Sequence, residues 1–197
     1  LQVTRKRELQ LDSATYNTWS QKDRINQASP AYERATPIEV GHVVFFVKDV
    51  VACERFYVDN FGFAASDRYP DRGAFLRCAP DGGHHDMFLL QRPAGDAGLN
   101  HVAFTVRDIH EVFGGGMHIS RCGWETQLGP GRHPTSGAVF LYFEGPDGMV
   151  FEYSTGVRHI APEDEAGYRP RQFPSVPSSF CMWGSLPDIP EFRKSAT

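Results

Sequence analysis

Residues 41–50, GHVVFFVKDV, return as residues 100–109, NHVAFTVRDI. His42 matches His101, Val43 matches Val102, Phe45 matches Phe104, Val47 matches Val106 and Asp49 matches Asp108, always 59 residues apart. A self-match at a fixed period marks two copies of one supersecondary unit. Each copy opens an apolar, β-branched run with a histidine and closes it with an aspartate suited to cap a helix.

Working outward from the first copy, residues 40–47 predict a strand. Asp49 then caps a helix that passes Phe56 and Tyr57 and stops at Gly62. Strands are predicted at 64–69, 73–78 and 86–91, divided by turn residues such as Pro80-Asp81-Gly82-Gly83. The second copy repeats the order. A strand at 101–106 leads to Asp108, a helix through Val112 and Phe113, and strands near 126–128, 138–143 and 149–154. The run Gly114-Gly115-Gly116 is a poor helix interior and weakens the pattern there. The expected fold class is α+β. Two βαβββ modules form a cup-shaped half-barrel with alternate residues facing inward, and His42 and His101 stand at equivalent positions on facing walls. The expected organisation is an N-terminal extension at 1–38, a paired domain at 39–155 (modules 39–92 and 98–155) and a C-terminal tail at 156–197. Within the extension, 1–11 reads as a strand and 19–28 as a short helix.

With 197 residues, 41% of them hydrophobic, the chain can bury a core. A net charge of −4 argues against nucleic acid or an anionic membrane as partner. No apolar run approaches the roughly 20 residues of a membrane span. The chain does not start with methionine, so its natural N-terminus is expected upstream of Leu1. Cys53, Cys78, Cys122 and Cys181 form no CxxC pair, which disfavours a zinc knuckle and suits reduced thiols in a cytoplasmic protein.

Two equivalent histidines need a third ligand to hold a divalent metal. Glu152, flanked by Phe151 and Tyr153 in MVFEYST, is the best candidate, because a carboxylate inside an apolar strand is costly unless paired or metal-bound. His42, His101 and Glu152 would then form a 2-His-1-carboxylate triad with open coordination positions, as in non-haem Fe(II) oxygenases. Three more residues stand out: His85 in His84-His85-Asp86, His133 in Gly131-Arg132-His133, and Tyr142 in Phe140-Leu141-Tyr142-Phe143. Each also reads blandly, the first two as loop surface and Tyr142 as a core aromatic. At the positions 59 residues before Glu152, Tyr142 and His133, the first copy has Pro93, Gly83 and Ala74.

These residues carry a resemblance. Residues 38–155 are similar to the type I extradiol ring-cleavage dioxygenases (catechol 2,3-dioxygenase and dihydroxybiphenyl dioxygenase), within the vicinal oxygen chelate superfamily. The most specific stretch is residues 131–153, GRHPTSGAVFLYFEGPDGMVFEY, where His133, Tyr142 and Glu152 follow the family's order and spacing. The resemblance implies metal ligands His42, His101 and Glu152, a catalytic acid–base at His85, and catalytic, substrate-binding His133 and Tyr142. It implies Fe(II), with Mn(II) accepted by the same ligands, and O2 as co-substrate. The implied activity is meta cleavage of a catechol-type diol to a hydroxymuconic semialdehyde-type product, in aromatic-compound catabolism. Many family members carry a further N-terminal pair of modules; LQVTRKREL reads as the last strand of such a domain, in a chain that is either a fragment or has dispensed with it. A C-terminal segment often covers the family's site, and Arg169, Arg171, Phe180 and Trp183 are candidates for that lid here. Exposed aromatics in the tail suggest a homo-oligomer. The alternatives are a non-oxidative metal-dependent enzyme of the same superfamily (epimerase, lyase or fosfomycin-type thiol transferase) and a metal-free module that binds a small aromatic ligand.

Overall fold

The computed structural model describes residues 25–26, 33–92, 94 and 96–186. The strand expected over 1–11, and all of the helix expected over 19–28 except Ile25 and Asn26, lie outside the described residues.

The first module runs β1 (Glu39–Val47), α1 (Val50–Phe61), β2 (Ala64–Tyr69), β3 (Gly73–Arg77), β4 (Gly82–Gly83) and β5 (Met87–Gln91). The second runs β6 (Gly98–Thr105), α2 (Ile109–Arg121), β7 (Thr126–Arg132), β8 (Val139–Glu144) and β9 (Val150–Thr155). The tail adds β10 (His159–Ile160), β11 (Arg171–Gln172) and a short α3 (Pro177–Phe180). Both helices start as their sequences predict. Asp49 Oδ1 accepts from the Ala52 N–H at 2.9 Å, and Asp108 Oδ1 from the Glu111 N–H at 3.0 Å. Gly62 ends α1 with a φ of 71°, which only glycine adopts freely.

Among the described residues, nine strands form one sheet in the order β11-β2-β3-β5-β1-β6-β9-β8-β7. β1 pairs in parallel with β5, β6 in parallel with β9, and β1 meets β6 antiparallel. The two modules are thus related about the central β1–β6 seam. The convex face carries the helices over one apolar cluster per module. Val47, Val50, Ala74, Leu76 and Leu89 pack with Tyr57 beneath α1; Val106, Val112, Val139, Leu141, Phe143 and Tyr153 pack beneath α2. The concave face encloses a cavity lined from both ends of the sheet, by Tyr69 and Phe75 as well as Gln127 and Tyr142. That closure is the cup.

The glycine run does not break α2, which continues to Arg121. Its small residues are needed for close approach. A Cβ on Gly115 would lie 2.7 Å from the Ala35 Cβ, and one on Gly116 2.6 Å from Leu141 Cδ2. Tight seating against the sheet outweighs poor helix propensity. The two effects can be set against each other by Gly115→Ala. Better propensity contributes about 1 kcal/mol, while overpacking against a backbone-anchored methyl costs about 1–3 kcal/mol. The variant should therefore melt below wild type; a raised midpoint would mean that α2 is not seated this closely.

Candidate active site

At the β1–β6 seam, His42 lies across from Ala103 and Val44 across from His101. Residues opposite one another in an antiparallel pair share a face, so the two histidines are diagonal neighbours on the concave side. They do not stand on facing walls, as the sequence suggested. The relation between the modules brings the equivalent strands side by side rather than opposite. β9 extends the ladder and sets Glu152 beside Ala103, on the same face.

Glu152 is fully buried, and His42 and His101 are each 7% exposed. Glu152 Oε2 lies 3.2 Å from His42 Nε2 and 3.1 Å from His101 Nε2. One ligand atom from each of the three residues falls within 4.8 Å of the others. His101 Nδ1 bonds Asn100 Oδ1. A carbonyl oxygen only accepts, so Nδ1 carries the proton and neutral His101 turns a lone pair on Nε2 toward the carboxylate. Lone pair faces lone pair. Glu152 Oε1 is also buried and, among the described residues, makes no hydrogen bond of normal geometry, although the Tyr142 phenol beside it feels its charge. A cation held by the three residues resolves both conflicts. Asn100 is then the outer partner that fixes the His101 tautomer.

The cavity over this triad has a volume of about 400 Å³ and brings in His85, His133 and Tyr142, all singled out in the sequence. Its remaining wall is largely apolar, with Val44, Phe75, Phe88, Leu128, Val150 and Phe180. Such a volume and lining suit a small organic ligand oriented by a few polar groups. His85 precedes β5, and its ring centroid lies 4.2 Å from that of His42. His133 follows β7, stacked on Phe140 at 4.0 Å. Its Nδ1–H donates to the Phe180 carbonyl at 2.8 Å, which leaves Nε2 to accept the Tyr142 hydroxyl at 3.2 Å. Burial pushes His133 down to about 4, lowers His85 well below its ordinary value and raises Tyr142 well above its own. At neutral pH all three are uncharged.

One of the four tail residues expected over the site, Phe180, lines it, and a second, Arg171, binds the buried acid Asp67 behind it. Arg169 bonds the nearby carbonyls of Ala166 and Tyr168 at the surface, and Trp183 is 48% exposed.

Sequence reasoning left out His84, Asp67 and Asn100. His84 sits in a segment that also reads as loop surface, yet it is 3% exposed and its Nε2 bonds Asp67 Oδ2 at 2.7 Å. The signal for Asp67 was a lone acid within the strand AASDRY. The counterparts inferred at a constant 59-residue offset also need correction. Phe88 pairs with Val44 as Glu152 pairs with Ala103, and Phe75 pairs with Phe88 as Tyr142 pairs with Glu152. The first-module equivalents of Glu152 and Tyr142 are therefore Phe88 and Phe75, not Pro93 and Gly83. The second module spaces its later strands more widely, so the offset drifts.

These shifts give the apoprotein an acid limit. His84 and His133 bind protons less readily folded than unfolded, so the unfolded chain takes up protons first as pH falls below about 6.5. Asp67, where burial is outweighed by His84 and Arg171 and the carboxyl is lowered, loses its contribution at still lower pH, with the same sign. With chelator present, the thermal midpoint at pH 5 should lie clearly below that at pH 7.5. Equal midpoints would contradict neutral buried histidines.

Residues 39–153 match the Glyoxalase/Bleomycin resistance protein/Dioxygenase superfamily. The chain is 25% identical over 122 residues to the 2,2',3-trihydroxybiphenyl dioxygenase of Sphingomonas paucimobilis, covering 59% of this chain and 41% of that protein. Its structure resembles that of the Mn(II)-bound glyoxalase from Novosphingobium aromaticivorans, with a TM-score of 0.71 and 26% identity over 84% of this chain and 52% of the other. It also resembles the 2,3-dioxygenase LapB from Pseudomonas sp. KL28, with a TM-score of 0.63 and 24% identity over 70% and 48%, a likeness of fold alone. The chain spans between 41% and 52% of the length of these relatives. Since the matched segment takes in more than half of the chain, this protein belongs to the glyoxalase/bleomycin resistance protein/dioxygenase superfamily.

Proposed function

We propose that this chain carries the catalytic centre of an extradiol (meta) ring-cleaving dioxygenase. It would insert both atoms of O2 into a catechol-type diol, giving a hydroxymuconic semialdehyde-type product in aromatic-compound catabolism. The observation that carries this reading is the convergence of His85, His133 and Tyr142 with the metal triad in one apolar cavity. A metal-dependent epimerase or lyase needs the triad but not all three further groups. A metal-free binding module needs neither.

His42, His101 and Glu152 would hold Fe(II), or Mn(II) on the same ligands. When bound, that metal supplies chelation of the two diol oxygens, acidification of a hydroxyl and activation of O2. The chain's own residues do the rest. Tyr142 donates its proton to His133, so its oxygen keeps lone pairs for a substrate hydroxyl. Neutral His85 can take a hydroxyl proton and return it to an oxygen leaving in a later step. The apolar wall orients the ring and excludes bulk water. The cysteines of the described residues are free, as in a reducing cytoplasm. No helix among the described residues is long and apolar enough to cross a membrane. Exposed tail aromatics such as Trp183 favour a homo-oligomer. The likeness to a Mn(II)-bound glyoxalase supports a second reading, a non-oxidative metal-dependent enzyme of the same superfamily that turns over without O2.

Fe(II)-loaded protein given catechol in air should produce a yellow ring-cleavage product. Glu152→Ala should lose metal and activity together. His85→Asn should keep its metal and turn over about 10²–10⁴-fold more slowly. Bound iron with no colour from catechol or several substituted catechols would overturn the dioxygenase reading.

A further inference from the structure

A continuous hydrogen-bonded chain begins at Arg171 in the tail and runs through buried Asp67 and His84 to His85. His84 Nδ1 lies 3.0 Å from His85 Nδ1, and His84 Nε2 lies 2.7 Å from Asp67 Oδ2. Asp67 is fully buried, just past a register shift in β2, where an irregularity re-aims a side chain. The tail strand β11 pairs with β2 in the register Arg171 to Asp67. Arg171 gives Asp67 Oδ1 its backbone N–H at 3.1 Å and its Nε–H at 2.9 Å, and a further guanidinium N–H goes to Oδ2. The same guanidinium reaches the Thr135 carbonyl of the second module at 3.0 Å. Tyr168 adds a long contact to Oδ1 at 3.4 Å. The Phe75 ring lies 5.0 Å from both imidazoles, edge-on to each.

The donor and acceptor rules leave one arrangement for neutral rings. The ionised Asp67 carboxylate only accepts, so His84 Nε2 must donate. A neutral imidazole has a single N–H, so His84 Nδ1 bears a lone pair. His85 Nδ1 must then be the donor, and the His85 lone pair lies on Nε2, at the ring edge opposite the chain. Burial keeps His84 neutral, and Arg171 offsets part of the pull of Asp67 toward its charged form.

We propose that Asp67 and His84, with the carboxylate held by Arg171 of the tail, are positioning residues that lock His85 in the Nδ1–H tautomer with Nε2 bare for the substrate. This rests on the reading of His85 as the acid–base group. In the corresponding step a substrate O–H bond breaks and an Nε2–H bond forms. The Nδ1–H stays donated to His84, which couples the new charge to Asp67. The reverse transfer returns the proton to a leaving oxygen. Docking of the tail therefore prepares the far side of the cavity for chemistry.

The test is Asp67→Asn. Arg171, a pure donor, will claim the amide oxygen and turn the NH2 toward His84 Nε2. The His84 tautomer must then invert, and that of His85 with it, giving Nε2–H. Long-range proton–nitrogen NMR correlations on the full chain loaded with diamagnetic Zn(II) read the tautomer without any turnover. Wild type should show His85 protonated at Nδ1 and Asp67→Asn should show it protonated at Nε2. In the Fe(II) enzyme, kcat should fall about 10²–10⁴-fold with metal content unchanged and KM little changed. If Asp67→Asn does not fold, His84→Ala removes the acceptor and both His85 tautomers should appear. An Nε2–H tautomer in wild type, or unaltered tautomer and kcat in Asp67→Asn, overturns the proposal. If wild type cleaves no diol, yet His85 is protonated at Nδ1 in wild type and at Nε2 in Asp67→Asn, the dioxygenase reading is overturned while the relay stands.

Discussion

A carboxylate buried against two imidazoles, one of which turns a lone pair toward it, is the constraint on which the rest of the structure depends. Glu152 has no exposure, and on the concave face neutral His101 points an acceptor nitrogen at it while His42 Nε2 lies 3.2 Å away. Left as an uncompensated charge, it would cost several kcal/mol. The sheet makes the arrangement unavoidable. β1, β6 and β9 are consecutive strands at its centre, and their register puts His42, His101 and Glu152 on one side within a few ångströms. A metal that binds this set and not the unfolded chain converts the conflict into folding free energy.

Around that centre the two modules share a framework and divide the chemistry. Where the second module has Glu152 and Tyr142, the first has Phe88 and Phe75, stacked at 4.1 Å as part of the cavity wall. One copy supplies charge and proton donors, and the other supplies most of an apolar surface for a ring. The first copy's polar contribution enters through His84 and His85, just after β4. There β10 of the tail pairs with Gly82 and Gly83 and pins the segment. The tail also meets the second module's histidine, through the Phe180 carbonyl on His133. His85 and His133 thus have their Nδ1 occupied by partners that lead back to the tail.

Much of this was legible in the sequence because it rests on local patterns. The repeated strand-and-cap motif announced two modules. Glu152 between aromatic residues announced a buried acid, and the order of His133, Tyr142 and Glu152 carried a resemblance to one family. What stayed hidden depends on pairing across the chain. No local pattern tells that β1 and β6 are neighbours rather than opposite walls, or that equivalent positions drift once the second module spaces its strands more widely. Asp67 and Arg171 are 104 residues apart, and neither stands out alone. The glycine run in α2 misled in the other direction, since propensity counted against a helix that packing required.

The most direct test of the account is a turnover in isotopically labelled oxygen. Fe(II)-loaded protein incubated with a catechol under ¹⁸O2 should yield a ring-opened product carrying label in both newly introduced oxygen positions, as mass spectrometry reads it. Glu152→Ala should yield none. A product formed without label, or turnover that proceeds equally well in the absence of oxygen, would contradict the assignment of this cavity to ring cleavage.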